Sequence, residues 1–233
     1  MMRPTLLLVH GAWHDKAMWD QLMTEMPDEK IRRIQNPSSA PVPANQLGDM
    51  YADARRIRDA ALSIDGPVVA VAHSYGGAPT TEALAGLEDK VRRIVYLNAF
   101  MLDEGESLLG LVGGTPPPFW GTDHVGEGYY EMLDAENVFY ADLEPAAQKA
   151  AADALHAHSV AAMNQPITKA AWKTIPSSYV IGELDNAVPK QAREFLAKRA
   201  QHTHRLQTGH SPFLVKPKEL AELLRAELDL AEE

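Results

Sequence analysis

Ser74 stands in the run Val71-Ala72-His73-Ser74-Tyr75-Gly76-Gly77, between a continuously apolar stretch, Val68 to Ala72, and a helical pattern that reaches about Leu87. A strand that turns sharply into a helix around a serine holds that serine in a strained elbow with its hydroxyl presented for attack. Only small residues fit on either side of such a turn, and Ala72 and Gly76 flank Ser74 there. The common form of the elbow has glycine where this chain has Ala72. The helix that follows aims its first N–H groups back at the turn, where they can stabilise an anion. A small-x-Ser-x-Gly pattern arises often by chance; the strand before and the helix after make it specific. The chemistry predicted is nucleophilic attack by the Ser74 hydroxyl on a carbonyl carbon.

A serine is a weak nucleophile and needs a base, which a carboxylate must orient. Behind a serine elbow the acid comes before the histidine in the chain. Asp185 follows the apolar stretch Tyr179 to Ile181 through Gly182-Glu183-Leu184, and His210 lies in Thr208-Gly209-His210-Ser211-Pro212 after a weak strand near His204 to Gln207. Both lie just past expected strand C-termini, the edge where α/β sheets collect ligands. Glu183 and Asp103 compete with Asp185 for the acid's place. Eight other histidines compete with His210, among them His156 and His158 on an expected cap helix, His202 and His204 on an exposed turn and strand, and His10 and His73, which read as structural. Developing negative charge needs two N–H donors. These are expected from Tyr75, the residue after the nucleophile, and from Ala12 in the loop His10-Gly11-Ala12-Trp13, where the glycine lets the backbone approach. His10, His14 and His73 could suggest a metal, but no convergent set of carboxylates accompanies them, so no metal is expected.

The elements that position these residues follow from apolar patterning. Thr5 to Val9, Val68 to Ala72, Val91 to Leu97 and Ser178 to Ile181 read as buried strands, and Ile31 to Ile34 as a short one. Continuous apolar runs of this kind suit a parallel sheet covered on both faces. Helices are predicted over Met18 to Met26, Leu47 to Ser63, Lys190 to Arg199 and Pro217 to Leu230. In the second of these, Tyr51, Ala54, Ile57 and Ala61 share one side, with Asp53, Arg55, Arg56 and Asp59 spread on the other. The alternation of strand and helix predicts a wound α/β sheet. It breaks at Gly110 to Gly114 and Pro116-Pro117-Pro118, and the next stretch yields only helical pieces, Glu127 to Leu133 and Pro145 to His156 among them. The expected organisation is one core, 1–112 and 176–233, carrying a helical cap at 113–175. Phe119, Trp120 and Tyr129 in that cap could line a substrate pocket or form its packing core.

The 233 residues are 45% hydrophobic and 23% charged, enough for a core without staples. With no cysteine, disulfides and thiolate chemistry are excluded. A net charge of −10 argues against nucleic acid as a partner. No apolar stretch is long enough for a membrane span, and no targeting signal is seen, so the expected location is the cytoplasm.

Leu8 to His14 with Trp19, Ala72 to Gly77, Asp185 with Val188-Pro189, and Gly209-His210-Ser211-Pro212-Phe213 together resemble the α/β-hydrolase superfamily. They are most similar to its branch of plant methyl esterases, hydroxynitrile lyases and bacterial carboxylesterases. Phe139-Tyr140-Ala141-Asp142 and Asn164-Gln165-Pro166-Ile167 look like that branch's cap, so the resemblance covers nearly the whole chain. It implies an α/β-hydrolase fold, with a mostly parallel sheet, helices on both faces and a small cap. It also implies an ester hydrolase without metal or organic cofactor, acting on a small-molecule ester as a monomer or homodimer.

The lyases of that branch carry a threonine after the first-loop histidine and a lysine after the catalytic one; here those positions are Gly11 and Ser211. Ester hydrolysis is therefore expected ahead of cyanohydrin cleavage or non-catalytic ligand binding, with activity on the alkaline side, because His210 must be neutral to act as a base.

Overall fold

The computed structural model describes residues 2–232. The chain runs β1 (Thr5–Val9), α1 (Asp20–Thr24), β2 (Ile31–Arg33), α2 (Met50–Ser63), β3 (Val68–His73), α3 (Gly77–Leu84), β4 (Val91–Leu97) and α4 (Leu108–Leu111). An insertion follows with β5 (Trp120–Gly121), β6 (Tyr129–Met132), α5 (Ala135–Val138), α6 (Pro145–Asp153), β7 (His158–Ser159) and α7 (Val160–Asn164). The sheet then resumes with β8 (Ser177–Gly182), α8 (Lys190–Ala197), β9 (His202–Leu206), α9 (Pro212–Val215) and α10 (Pro217–Leu230).

The central sheet has the order β2-β1-β3-β4-β8-β9, with every neighbouring pair parallel. Successive side chains of a strand point to opposite faces, so each continuous apolar run feeds two cores. Leu7, Val9, Ala70, Ala72, Ile94 and Tyr96 enter one, with α2, α3 and the insertion. Leu6, Leu8, Val69, Val71, Val95 and Leu97 enter the other, with Trp19 and the α10 face Leu220, Ala221, Leu224 and Leu228. Leu6, Leu7 and Leu8 are wholly buried, each such side chain stabilising the fold by about 1.5–3 kcal/mol. From β1 the chain moves one way to β2, then crosses back to β3 and on to β4 and β8. The loops after β1 and β3 therefore diverge at the switch point, where an α/β sheet opens a crevice at its strand C-termini.

Four expectations are corrected. The insertion is not purely helical: β5, β6 and β7 form a small antiparallel sheet, and the expected helix Glu127 to Leu133 is a 3-10 turn, Val125–Glu127, followed by a strand. Gly128, at φ 90°, takes the left-handed conformation that stops the turn and sends Tyr129 into β6. Pairings of only two residues leave no alternation to read. The same sheet takes up His158, placed by sequence on a helix. In α2, Asp53 is wholly buried with Met50, Ala54, Ile57 and Ala61 rather than facing water.

The insertion is tied to the core by main-chain bonds. His156 N–H donates to Trp13 O at 2.7 Å and Ser159 N–H to Ser38 O at 3.0 Å. Trp13 Nε1 donates to Tyr130 O at 3.1 Å, and Gly209 N–H donates to the Asp142 carboxylate.

Candidate active site

β3 delivers Ser74 at the switch point, and the chain enters a 3-10 turn, Ser74–Gly76, that continues into α3. Ser74 has φ 53°, the left-handed region, which costs a non-glycine residue about 1–3 kcal/mol and persists only where its surroundings fix it. They do so closely. A Cβ on Gly76 would lie 2.6 Å from His10 O, and one on Gly11 would lie 2.9 Å from His73 Nδ1 and 3.0 Å from Ser74 Cβ. Both glycines let the β1 loop press against the elbow.

Two peptide planes there are pinned through their carbonyls. Ser74 O accepts from Phe100 N–H at 3.0 Å. Gly11 O is 2.9 Å from His10 Nδ1, while His10 Nε2 accepts from Asn36 N–H at 2.9 Å, so the ring proton sits on Nδ1 and is donated to Gly11. Burial pushes the His10 imidazole down to about 4, against the pull of that bond, and keeps it neutral near pH 7. In a trans peptide the N–H lies opposite the C=O. The bonds that hold the Ser74 and Gly11 carbonyls thus also set the directions of the Tyr75 and Ala12 N–H groups.

Past β8, one oxygen of Asp185 accepts from Ala187 N–H at 2.7 Å and Val188 N–H at 3.2 Å, and the other lies 3.0 Å from His210 Nδ1. Both side chains are almost wholly buried. The carboxylate selects the tautomer with the proton on Nδ1, leaving Nε2 as the basic nitrogen. That Nε2 is buried and has no hydrogen-bond partner among the described residues, Ser74 included. The His210 main chain is held by His73 Nε2, 2.9 Å from His210 O, and by Asn98 Nδ2, 3.2 Å from Gly209 O. Phe139 stacks on the His210 ring with centroids 5.0 Å apart.

Ser74, Ala12 and Tyr75 open onto one narrow cavity, walled by Trp13, Phe100, Leu108, Phe119, Trp120, Phe139, Met163 and Val188. Phe119 and Trp120 are thus both in the wall. Tyr129 is not: it stacks on His124 at 4.7 Å, half-buried. Four of the competing residues are paired elsewhere. Glu183 pairs with Arg205, Asp103 with Lys173, His156 with Asp15 and His204 with Glu227. Asn98 was not anticipated. It has φ 45° at the end of β4, and its Oδ1 accepts from Gly182 N–H at 2.6 Å, so it links β4, β8 and the His210 loop. An asparagine closing an apolar strand, a residue tolerant of that conformation, was the available signal.

Among the described residues no group of three or more His, Cys, Asp or Glu is placed to hold a metal ion, and no helix is long and apolar enough to cross a membrane.

The profile of the alpha/beta hydrolase family matches residues 6–223, and the chain belongs to that family. It is 31% identical to the alpha/beta hydrolase nvfD of Aspergillus novofumigatus, over 97% of this chain and 96% of that one. It is 32% identical to a carbendazim hydrolyzing esterase of a Nocardioides species, over 55% of each. A methylesterase from Arabidopsis, 21% identical, shares the fold with a TM-score of 0.80 over 97% of this chain and 99% of that one. Hydrolases and esterases thus recur among its relatives.

Proposed function

We propose that this protein hydrolyses carboxylic esters of small neutral molecules through an acyl-enzyme. The observation that carries the reading is the buried Asp185–His210 pair, 3.0 Å apart, behind a serine held at positive φ. Ser74 Oγ attacks the ester carbonyl as His210 Nε2 takes its proton. The Ala12 and Tyr75 N–H groups receive the negative charge that develops on the carbonyl oxygen, each such donor being worth about 2.7–4 kcal/mol. His210 returns the proton to the departing alkoxide, and water activated by the same nitrogen then frees the acid. Asp185 holds the imidazole tautomer and stabilises its charge. Phe119 and Trp120 serve as substrate-contacting walls. Among the described residues no charged side chain lines the cavity, which favours an uncharged ester. The esterases among the relatives support the same reaction class.

Ser74→Ala should abolish turnover of p-nitrophenyl acetate and butyrate, together with labelling by a fluorophosphonate. Activity or labelling that survives the substitution would overturn the reading.

A further inference from the structure

Asp53 is a wholly buried carboxylate that forms no salt bridge among the described residues. It instead accepts three hydrogen bonds: from Tyr75 OH at 2.6 Å, from Ser38 N–H at 2.9 Å and from Ser38 Oγ. Burial pushes its carboxyl up to about 7, against the pull of the Ser38 and Tyr75 bonds. A buried carboxylate with no cation beside it is a costly way to pack a helix against a sheet, and apolar residues would fill the space more cheaply. What the arrangement achieves is to fix one phenol. The Tyr75 ring is held at its oxygen by Asp53 and met edge to face by His158 of the insertion, with centroids 4.5 Å apart. Ser38, which completes the carboxylate's partners, is bonded in turn to Ser159 beside that histidine.

Tyr75 is the residue directly after the strained serine. For its N–H to meet the oxyanion, its backbone must keep one plane while Ser74 sits at φ 53°. Strain of that kind persists only where the surroundings over-determine it, and an anchored Tyr75 side chain adds a constraint to the Phe100 N–H bond on Ser74 O. We propose that Asp53, with Ser38, is a positioning residue for the oxyanion donor: by gripping the Tyr75 hydroxyl it holds the Ser74–Tyr75 peptide in the orientation that stabilises the tetrahedral intermediate. The inference rests on the ester-hydrolase reading, in which the Tyr75 N–H is such a donor. It gives the Tyr75 side chain a task that the donor role itself does not require.

The test uses Asp53→Leu, which removes every acceptor that Tyr75 OH could use, Tyr75→Phe and the double variant, with active sites counted by fluorophosphonate titration so that misfolded protein is excluded. Each single substitution should lower kcat per titrated site about tenfold on p-nitrophenyl butyrate with KM within about twofold, since the interaction acts on the transition state. Binding of a trifluoromethyl ketone, whose adduct carries an oxyanion, should weaken by the same factor. The double variant should be no worse than the poorer single one, because both changes cut the same link. Unchanged kcat per titrated site, or losses that multiply in the double variant, would overturn the proposal; Tyr75→Phe decides alone if Asp53→Leu does not fold. Wild-type protein that fails to label at Ser74 would overturn the site reading and this one together. Labelled wild type with unimpaired variants overturns this one only.

Discussion

Asp185 divides its two oxygens between separate tasks. One is locked by the Ala187 and Val188 N–H groups at the turn into α8, and the other faces His210 Nδ1 at 3.0 Å. In Asp185→Asn the side-chain oxygen would still suit the two backbone donors, which turns the amide NH₂ toward His210. That group can only donate, so the imidazole must move its proton to Nε2, the nitrogen that has to act as base. The expected result is a loss of kcat of about 10³–10⁴-fold with a near-normal melting temperature, read from p-nitrophenyl ester kinetics and thermal unfolding of the same preparation. Ser74, Asp185 and His210 could be picked out from sequence because each follows an apolar run or a weak strand, and strand ends set their mutual placement. Asp53 and Asn98 could not be assigned in that way. Asp53 keeps 3.6-residue spacing with Met50, Ala54 and Ile57, but its partners Ser38 and Tyr75 are distant in the chain, and a carboxylate without a visible partner reads as surface.

Among the elements, α10 is fastened to the sheet by one charged cluster. Glu227 is wholly buried and meets Arg93 of β4 at 2.8 Å, Ser178 of β8 at 2.8 Å and His204 of β9 at 2.7 Å. Burial alone would raise its carboxyl, but bonds from His204, Ser178 and Arg93 outweigh it and hold the group down to about 2. A carboxyl depressed in the folded state adds stability above its unfolded value of about 4.5 and loses it as pH falls from there toward 2. The stabilisation amounts to about 3 kcal/mol. Urea midpoints of the wild type should therefore fall between pH 6 and about pH 3 more steeply than those of Glu227→Gln, which is less stable at neutral pH and lacks this titration. Equal slopes for the two proteins would show that the cluster does not govern acid stability. Of the strands that carry this cluster, β4 and β8 were evident from their apolar runs, whereas β9, polar and mostly exposed, read only as a weak strand. β5, β6 and β7 were not, because a pairing two residues long has no period and is decided by the neighbours it packs on.

For the whole molecule, the insertion covers the cavity from above, with Phe119, Trp120, Phe139 and Met163 in its wall. Its rim is fastened to the core by main-chain bonds at His156 and Ser159 and by the Asp142 carboxylate on Gly209 N–H, next to His210. Helix α6 within the same insertion has no buried residue. Such a cap should behave as a fixed roof with a loose outer tile rather than as a swinging lid. In deuterated buffer the amides of His156 and Ser159 should exchange on the slow timescale of the central strands, while those of α6 exchange far sooner. Uniformly fast exchange across 113–175 would mean that the roof opens as a unit. If it stays shut, an ester must reach Ser74 through a standing doorway, and the width of that doorway, rather than a closing motion, selects which molecules are turned over.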